Sequence, residues 1–141
     1  MCIGNRDGGD DAVGPYIADT LKGKNVDFDV IDCGIVPENF TSVVKRLKPK
    51  KVLVVDAVDM GISPGEIRLI SKDKIGVMHV STHGIPLSVL MEYISRFIED
   101  VVLVGIQPKK MSGCMSNIVK SSADQLVSLI LENNIDDIKI L

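Results

Sequence analysis

Residues 51–57 read "KVLVVDA", a run of apolar, mostly β-branched residues that ends on the carboxylate of Asp56. So continuous a run suits a central strand buried on both faces rather than one with a wet side. A strand of that kind needs helices above and below it, which implies a mostly parallel sheet. Ligands of such sheets sit outside the carboxyl ends of the strands, where strand order reverses. Asp56 stands at that end.

Working outward, "VVLVGI" at 101–106 reads as a second buried strand, and "GEIRLIS" at 65–71 as a short strand after the Pro64-Gly65 turn. "VDFDVID" at 26–32 alternates apolar and acidic residues, which predicts a strand with one exposed face. "MCI" is only a stub of a first strand. Between these lie helical patterns. Asp10 or Asp11 is expected to cap a helix running to about Lys22, with Pro15 in its first turn. In "PENFTSVVKRLKP", Phe40, Val43, Val44 and Leu47 form an apolar stripe. "PLSVLMEYISRFI" gives a third helix. A last one over 117–133 carries Val119, Ala123, Leu126, Val127 and Ile130 on one side. Strands alternating with helices from end to end predict one α/β domain over residues 1–141, with helices on both faces of the sheet.

The totals remove several function classes. With 141 residues the chain has a single-domain length, and its apolar fraction of 45% is that of a globular domain. A net charge of −3 gives no reason to expect nucleic acid or an anionic membrane as partner. Two tyrosines, three phenylalanines and no tryptophan leave little for base stacking. No apolar run approaches the ~20 residues that span a bilayer, and "MCIGN" lacks a signal-type pattern. Cys2, Cys33 and Cys114 are an odd number, widely spaced and without a CxxC, which fits reduced thiols in a cytoplasmic protein.

Three loops at the expected carboxyl edge carry chemistry: "GDDAVGP" (9–15), "DAVDMG" (56–61) and "STHGIPL" (81–87). A glycine-rich loop opening a helix usually cradles phosphate, but Asp7, Asp10 and Asp11 would repel one, and no GKS/GKT or GxGxxG follows a strand. Asp11, Asp56 and His83 each stand at or just after a strand end. If the sheet sets those ends side by side, two carboxylates and an imidazole converge. Two carboxylates so placed need a shared proton or a cation, and oxygen and nitrogen donors without thiolate suit Ni, Zn, Mn or Fe(II). Each residue also has a plainer role: Asp11 as a cap, Asp56 as a turn former, His83 as a loop histidine. Asp10 and Asp59 read as capping or solvated, and His79 as structural. Neither Cys33 nor Cys114 has a base beside it in sequence, and "KKMSGCMSN" reads as a polar, mobile loop.

The segments "GNRDGGDDAVGP", "IDCGIVPEN", "VVDAVDMGISPGEIRLI", "STHGIPL" and "VVLVGIQP" together resemble the [NiFe]-hydrogenase maturation endopeptidases, most closely the hydrogenase-3 maturation protease branch. They occur in the family's order over roughly the first four-fifths of the chain; "KKMSGCMSNIVKSSADQL" matches its pattern least. The resemblance implies a three-layer α/β/α fold with a twisted sheet of about five strands. It also implies an activity, removal of a C-terminal extension from a hydrogenase large-subunit precursor once nickel is in place. Carried over position by position, the family's metal-binding residues fall on Asp11, Asp56 and His83, which would make them both the metal-binding and the catalytic set. The nickel would arrive with the substrate, and other divalent metals would suit the same donors. A monomer, acting in the cytoplasm on that precursor, is implied as well. A nickel-sensing chaperone without protease activity, a nucleotide-binding regulatory domain and a structural partner protein are the competing readings.

Overall fold

The computed structural model describes residues 1–76 and 84–141. Five strands form one sheet: β1 (Cys2–Ile3), β2 (Asp32–Gly34), β3 (Lys51–Ala57), β4 (Ile67–Ile70) and β5 (Asp100–Ile106). They lie in the order β2-β1-β3-β5-β4. β1 pairs in parallel with both β2 and β3, and β3 pairs in parallel with β5 from Lys51↔Asp100 to Ala57↔Ile106. Among the described residues only β4 is antiparallel, folding back along β5 after the Pro64-Gly65 turn. The α/β architecture expected from the sequence is the one observed.

Helices α1 (Val13–Lys22) and α5 (Asn117–Leu131) cover one face, and α2 (Thr41–Leu47), α3 (Lys72–Ile75) and α4 (Leu87–Ser95) belong to the other. Alternation along the strands divides the core accordingly. Val55 and Ala57 pack with Ile17, Leu21, Ala123 and Leu126. Val52 and Val54 pack with Val44, Leu90, Met91 and Ile94. The longer helices α1, α4 and α5 bury apolar residues at turn spacing, as Leu87, Leu90, Met91 and Ile94 do on α4. Side chains such as Ile17 and Ile94, with no exposed surface, each contribute about 2 kcal/mol by leaving water.

Two local expectations are corrected. The strand expected over 26–32 is realised only as Asp32–Gly34. β2 is an edge strand whose single neighbour is the two-residue β1, so the segment before Ile31 has no ladder to join. Below β1, where the Met1 ammonium donates to the Leu53 carbonyl, the sheet opens into a cavity of about 530 Å³ bordered by Phe28, Val30 and Leu53. That cavity is at the amino ends of the strands, away from the acidic loops. Second, neither Asp10 nor Asp11 caps α1. Both fall in a 3₁₀ turn, Gly9–Ala12, that leads straight into the helix, and no side chain caps its first turn.

Candidate active site

Strand order reverses at β1: the chain goes from β1 outward to β2, then returns to β3 on the other side. The crevice between the carboxyl ends of β1 and β3 is therefore the switch point of the sheet. Asp56 is the penultimate residue of β3, shares the parity of Val52 and Val54, and is 1% exposed. The pairing Cys2↔Val55 brings the end of β1 alongside it. From there the chain runs through residues 4–8 into the 3₁₀ turn that carries Asp11, and that turn packs on β3.

Asp11 is 5% exposed, and its Oδ2 accepts a hydrogen bond from the Asn5 amide at 3.0 Å. Its backbone lies so close to the end of β1 that a Cβ on Gly4 would stand 1.9 Å from the Asp11 carbonyl oxygen; Gly4 has φ +150°. Glycine at position 4 is thus what lets the acidic turn fold down onto the strand end. Of the two carboxylates expected at or just after strand ends, Asp56 lies at the end of β3 and Asp11 in the 3₁₀ turn beyond β1, and both are withdrawn from water. Withdrawing carboxylates is costly unless donors, a proton or a cation hold them, and this all-oxygen pair suits a hard or borderline divalent cation. His83, the third expected ligand, and His79 lie outside the described residues. Among the described residues, no group of three His, Cys, Asp or Glu stands together at metal-binding spacing.

Asp10, read from sequence as capping or solvated, has another role. Its side chain is fully buried, and its carboxylate gathers donors from across the chain. Oδ2 accepts from the amides of Lys109 (2.7 Å) and Lys110 (2.9 Å), while Oδ1 accepts from the Ser116 amide (2.6 Å) and hydroxyl (2.8 Å). The Asp10 amide in turn donates to the Lys110 carbonyl at 2.9 Å. Burial pushes the Asp10 carboxyl up, but the hydrogen bonds from Ser116, Lys110 and Lys109 outweigh it and hold the group below the usual carboxylate range. The "KKMSGCMSN" stretch (109–117), expected to be mobile, is therefore tied to the acidic turn near both of its ends, through Lys109, Lys110 and Ser116. At Gly9, φ is +63°, and a Cβ there would stand 2.5 Å from the Ser112 amide nitrogen, so this glycine admits the loop.

Gln107 is the second residue that sequence reasoning passed over. It is buried where β5 ends; its Oε1 accepts from the Met60 amide at 2.6 Å, and its Nε2 donates to Asp59 Oδ1 at 3.1 Å. The loop after Asp56 is thereby pinned to the next strand. Hydrogen bonds from Gln107 and from the Gly61 amide hold Asp59 below the usual range. The only signals for these residues were the Asp10-Asp11 doublet and the lone amide in "GIQP". Arg6 bridges Asp19 on α1 and Asp32 on β2 from the same first loop, a solvent-facing tie of modest energy. Cys33 offers no nucleophile: burial pushes its thiol up to about 12. Burial raises Cys2 as well, while Cys114 is exposed.

Comparison with known proteins places the fold in a family. The family model described as HycI, hydrogenase maturation protease, matches residues 15–133. The hydrogenase 3 maturation protease of Escherichia coli K12 is 42% identical over 113 residues, covering 77% of this chain and 70% of that protein. The crystal structure of the HycI [NiFe] hydrogenase maturation protease from Thermococcus kodakarensis superposes with a TM-score of 0.84 at 35% identity, covering 94% of this chain and 88% of that one. The solution structure of the HycI endopeptidase from Escherichia coli gives 0.84 at 36% identity, over 90% and 84%. With its fold, its two buried carboxylates at the switch point and these likenesses, the chain belongs to the hydrogenase maturation protease family.

Proposed function

We propose that the protein is a metal-gated endopeptidase that removes the C-terminal extension of a [NiFe]-hydrogenase large-subunit precursor after nickel insertion. The observation that carries this reading is the burial of Asp11 and Asp56 at adjacent strand ends, in a chain of the maturation protease family. Their oxygens fit a divalent cation, and His83 is the third ligand in this reading. The nickel is part of the substrate: it reaches the site inside the precursor and marks which precursors are ready. When bound, it supplies Lewis-acid polarisation near the scissile peptide.

The chain's own residues do the remaining work. A carboxylate of the pair takes a proton from the attacking water as the water oxygen adds to the scissile carbonyl carbon. The same proton passes to the leaving nitrogen as the C–N bond breaks, giving a new C-terminal carboxylate and an amine. Burial of the carboxylates excludes bulk water from this exchange. The glycines of the first loop admit the chain's own backbone, Gly4 the Asp11 carbonyl and Gly9 the Ser112 amide, and so set the acidic turn in place. The protein works as a monomer.

The test is incubation of the purified protein with nickel-loaded and nickel-free precursor, read by intact mass. Loss of a C-terminal peptide from loaded precursor only, abolished in Asp11→Asn and Asp56→Asn, is the expected result. Binding without a change of mass would replace the protease reading with the chaperone one.

A further inference from the structure

The loop over 107–116 has a property that the cleavage chemistry does not use. Its exposed residues include Lys109 and Lys110, and among the described residues neither enters an ion pair. The loops around them at the carboxyl edge are acidic, with Asp7, Asp11, Asp56 and Asp59. Arg6, the basic residue of the first loop, is already engaged by Asp19 and Asp32. The two lysines are therefore a free cationic spot on an acidic edge.

They are also held in place. Their backbone amides are the donors to Asp10 Oδ2, and Ser116 closes the far end of the loop on Oδ1. Asp10 is the chain neighbour of Asp11, so the brace fixes the backbone at the two lysines relative to the candidate active carboxylate. A loop that served only to connect β5 with α5 would not need a buried carboxylate with donors from three residues. Met111, which follows the lysines, is 49% exposed and adds an apolar contact surface.

We propose that this braced loop is the substrate-recognition arm of the enzyme: Lys109 and Lys110 bind a carboxylate-bearing stretch of the precursor beside the cleavage point. This rests on the protease reading for the identity of the substrate. Fixed cations facing a carboxylate stretch steer encounter and set affinity rather than bond breaking. The arm thus governs which precursor is held, while Asp11 and Asp56 govern whether it is cut.

The experiment measures both equilibrium binding and cleavage of nickel-loaded precursor by the native chain, a Lys109→Glu/Lys110→Glu variant and a Lys109→Arg/Lys110→Arg variant. Each is run at about 50 and about 300 mM salt, across which exposed charge pairs are progressively screened. The charge-reversed variant is expected to bind about tenfold more weakly at low salt, with KM raised in step and kcat held. Its affinity is expected not to fall further with salt, whereas the arginine variant keeps native affinity and native salt dependence. Native affinity in the charge-reversed variant, or a loss confined to kcat, would overturn the proposal. Precursor that is bound but never cut by the native chain would sink the protease reading, while the binding comparison would still decide the role of the arm.

Discussion

Asp10 and Asp11 are adjacent, chemically identical residues with different fates. The Asp11 carboxylate accepts from the Asn5 amide of its own loop, whereas Asp10 receives amides that lie about a hundred positions further along. Sequence cannot separate them, because what distinguishes them is a partner brought in by the fold. Asp10→Asn keeps the size but puts an NH2 group where backbone N–H donors already point. We expect it to lower stability by about 3 kcal/mol in urea unfolding near neutral pH, since hydrogen bonds to a buried charge are lost and donors are left facing a donor. The pH dependence has a definite sign. Because the folded-state carboxyl sits below its usual value, its stabilisation is complete above the unfolded-state value of about 4 and is lost as pH falls below it. The gap between native chain and variant should therefore narrow on acidification; a gap that widened would contradict the assignment. The cysteines give a second test at this scale. With Cys2 and Cys33 buried and raised, and Cys114 exposed, a disulfide reagent at pH 8 should titrate one thiol quickly in the native state and three after denaturation. Rapid reaction of Cys33 in the native protein would be the contrary result.

Elements were legible where their pattern was self-sufficient. β3 is buried at six of its seven positions at least in part, and its valine run announced it; β5 and the stripe of α5 were equally plain. β2 was misjudged because alternation describes one strand, whereas a strand exists only with a neighbour, and β1 is two residues long. The connections were least legible, since their order comes from single long-range side chains. Gln107 is the clearest case: it holds the loop after β3 from the end of β5 by accepting from Met60 and donating to Asp59. Removing it should free that loop and leave the strands intact. Gln107→Ala is expected to cost about 2 kcal/mol, the scale of a buried amide left without its partner. Hydrogen exchange should accelerate at Met60, with the amides of β3 and β5 unchanged. Uniform acceleration across the sheet would show instead that the residue supports the core rather than the loop.

At the scale of the whole molecule, the topology brings the candidate carboxylates to one edge of the sheet without any sequence proximity. The Asp11 turn packs on β3 because β1 and β3 are neighbours at the point where the chain changes direction, so that placement was inferable once the sheet was, and not before. The two acids could serve as nickel ligands, as proton carriers, or as both, and binding and cleavage separate these roles. If they hold the substrate's nickel, Asp11→Asn and Asp56→Asn lose the preference for nickel-loaded over nickel-free precursor, because the amide keeps the shape and drops the charge that a cation requires. If one of them also carries the proton, cleavage falls further than binding does, by the ~10²-fold that a general base contributes. We expect the preference to vanish and cleavage to be lost in both variants, with cleavage falling further than binding in the one whose carboxylate also carries the proton, while the unfolding midpoint shows each to be folded. Retained preference together with abolished cleavage would assign the pair to proton transfer alone and leave nickel to be read elsewhere on the carboxyl edge. Equal and proportionate losses in both variants would make the carboxylates a checkpoint only, with the base supplied by another group of the complex.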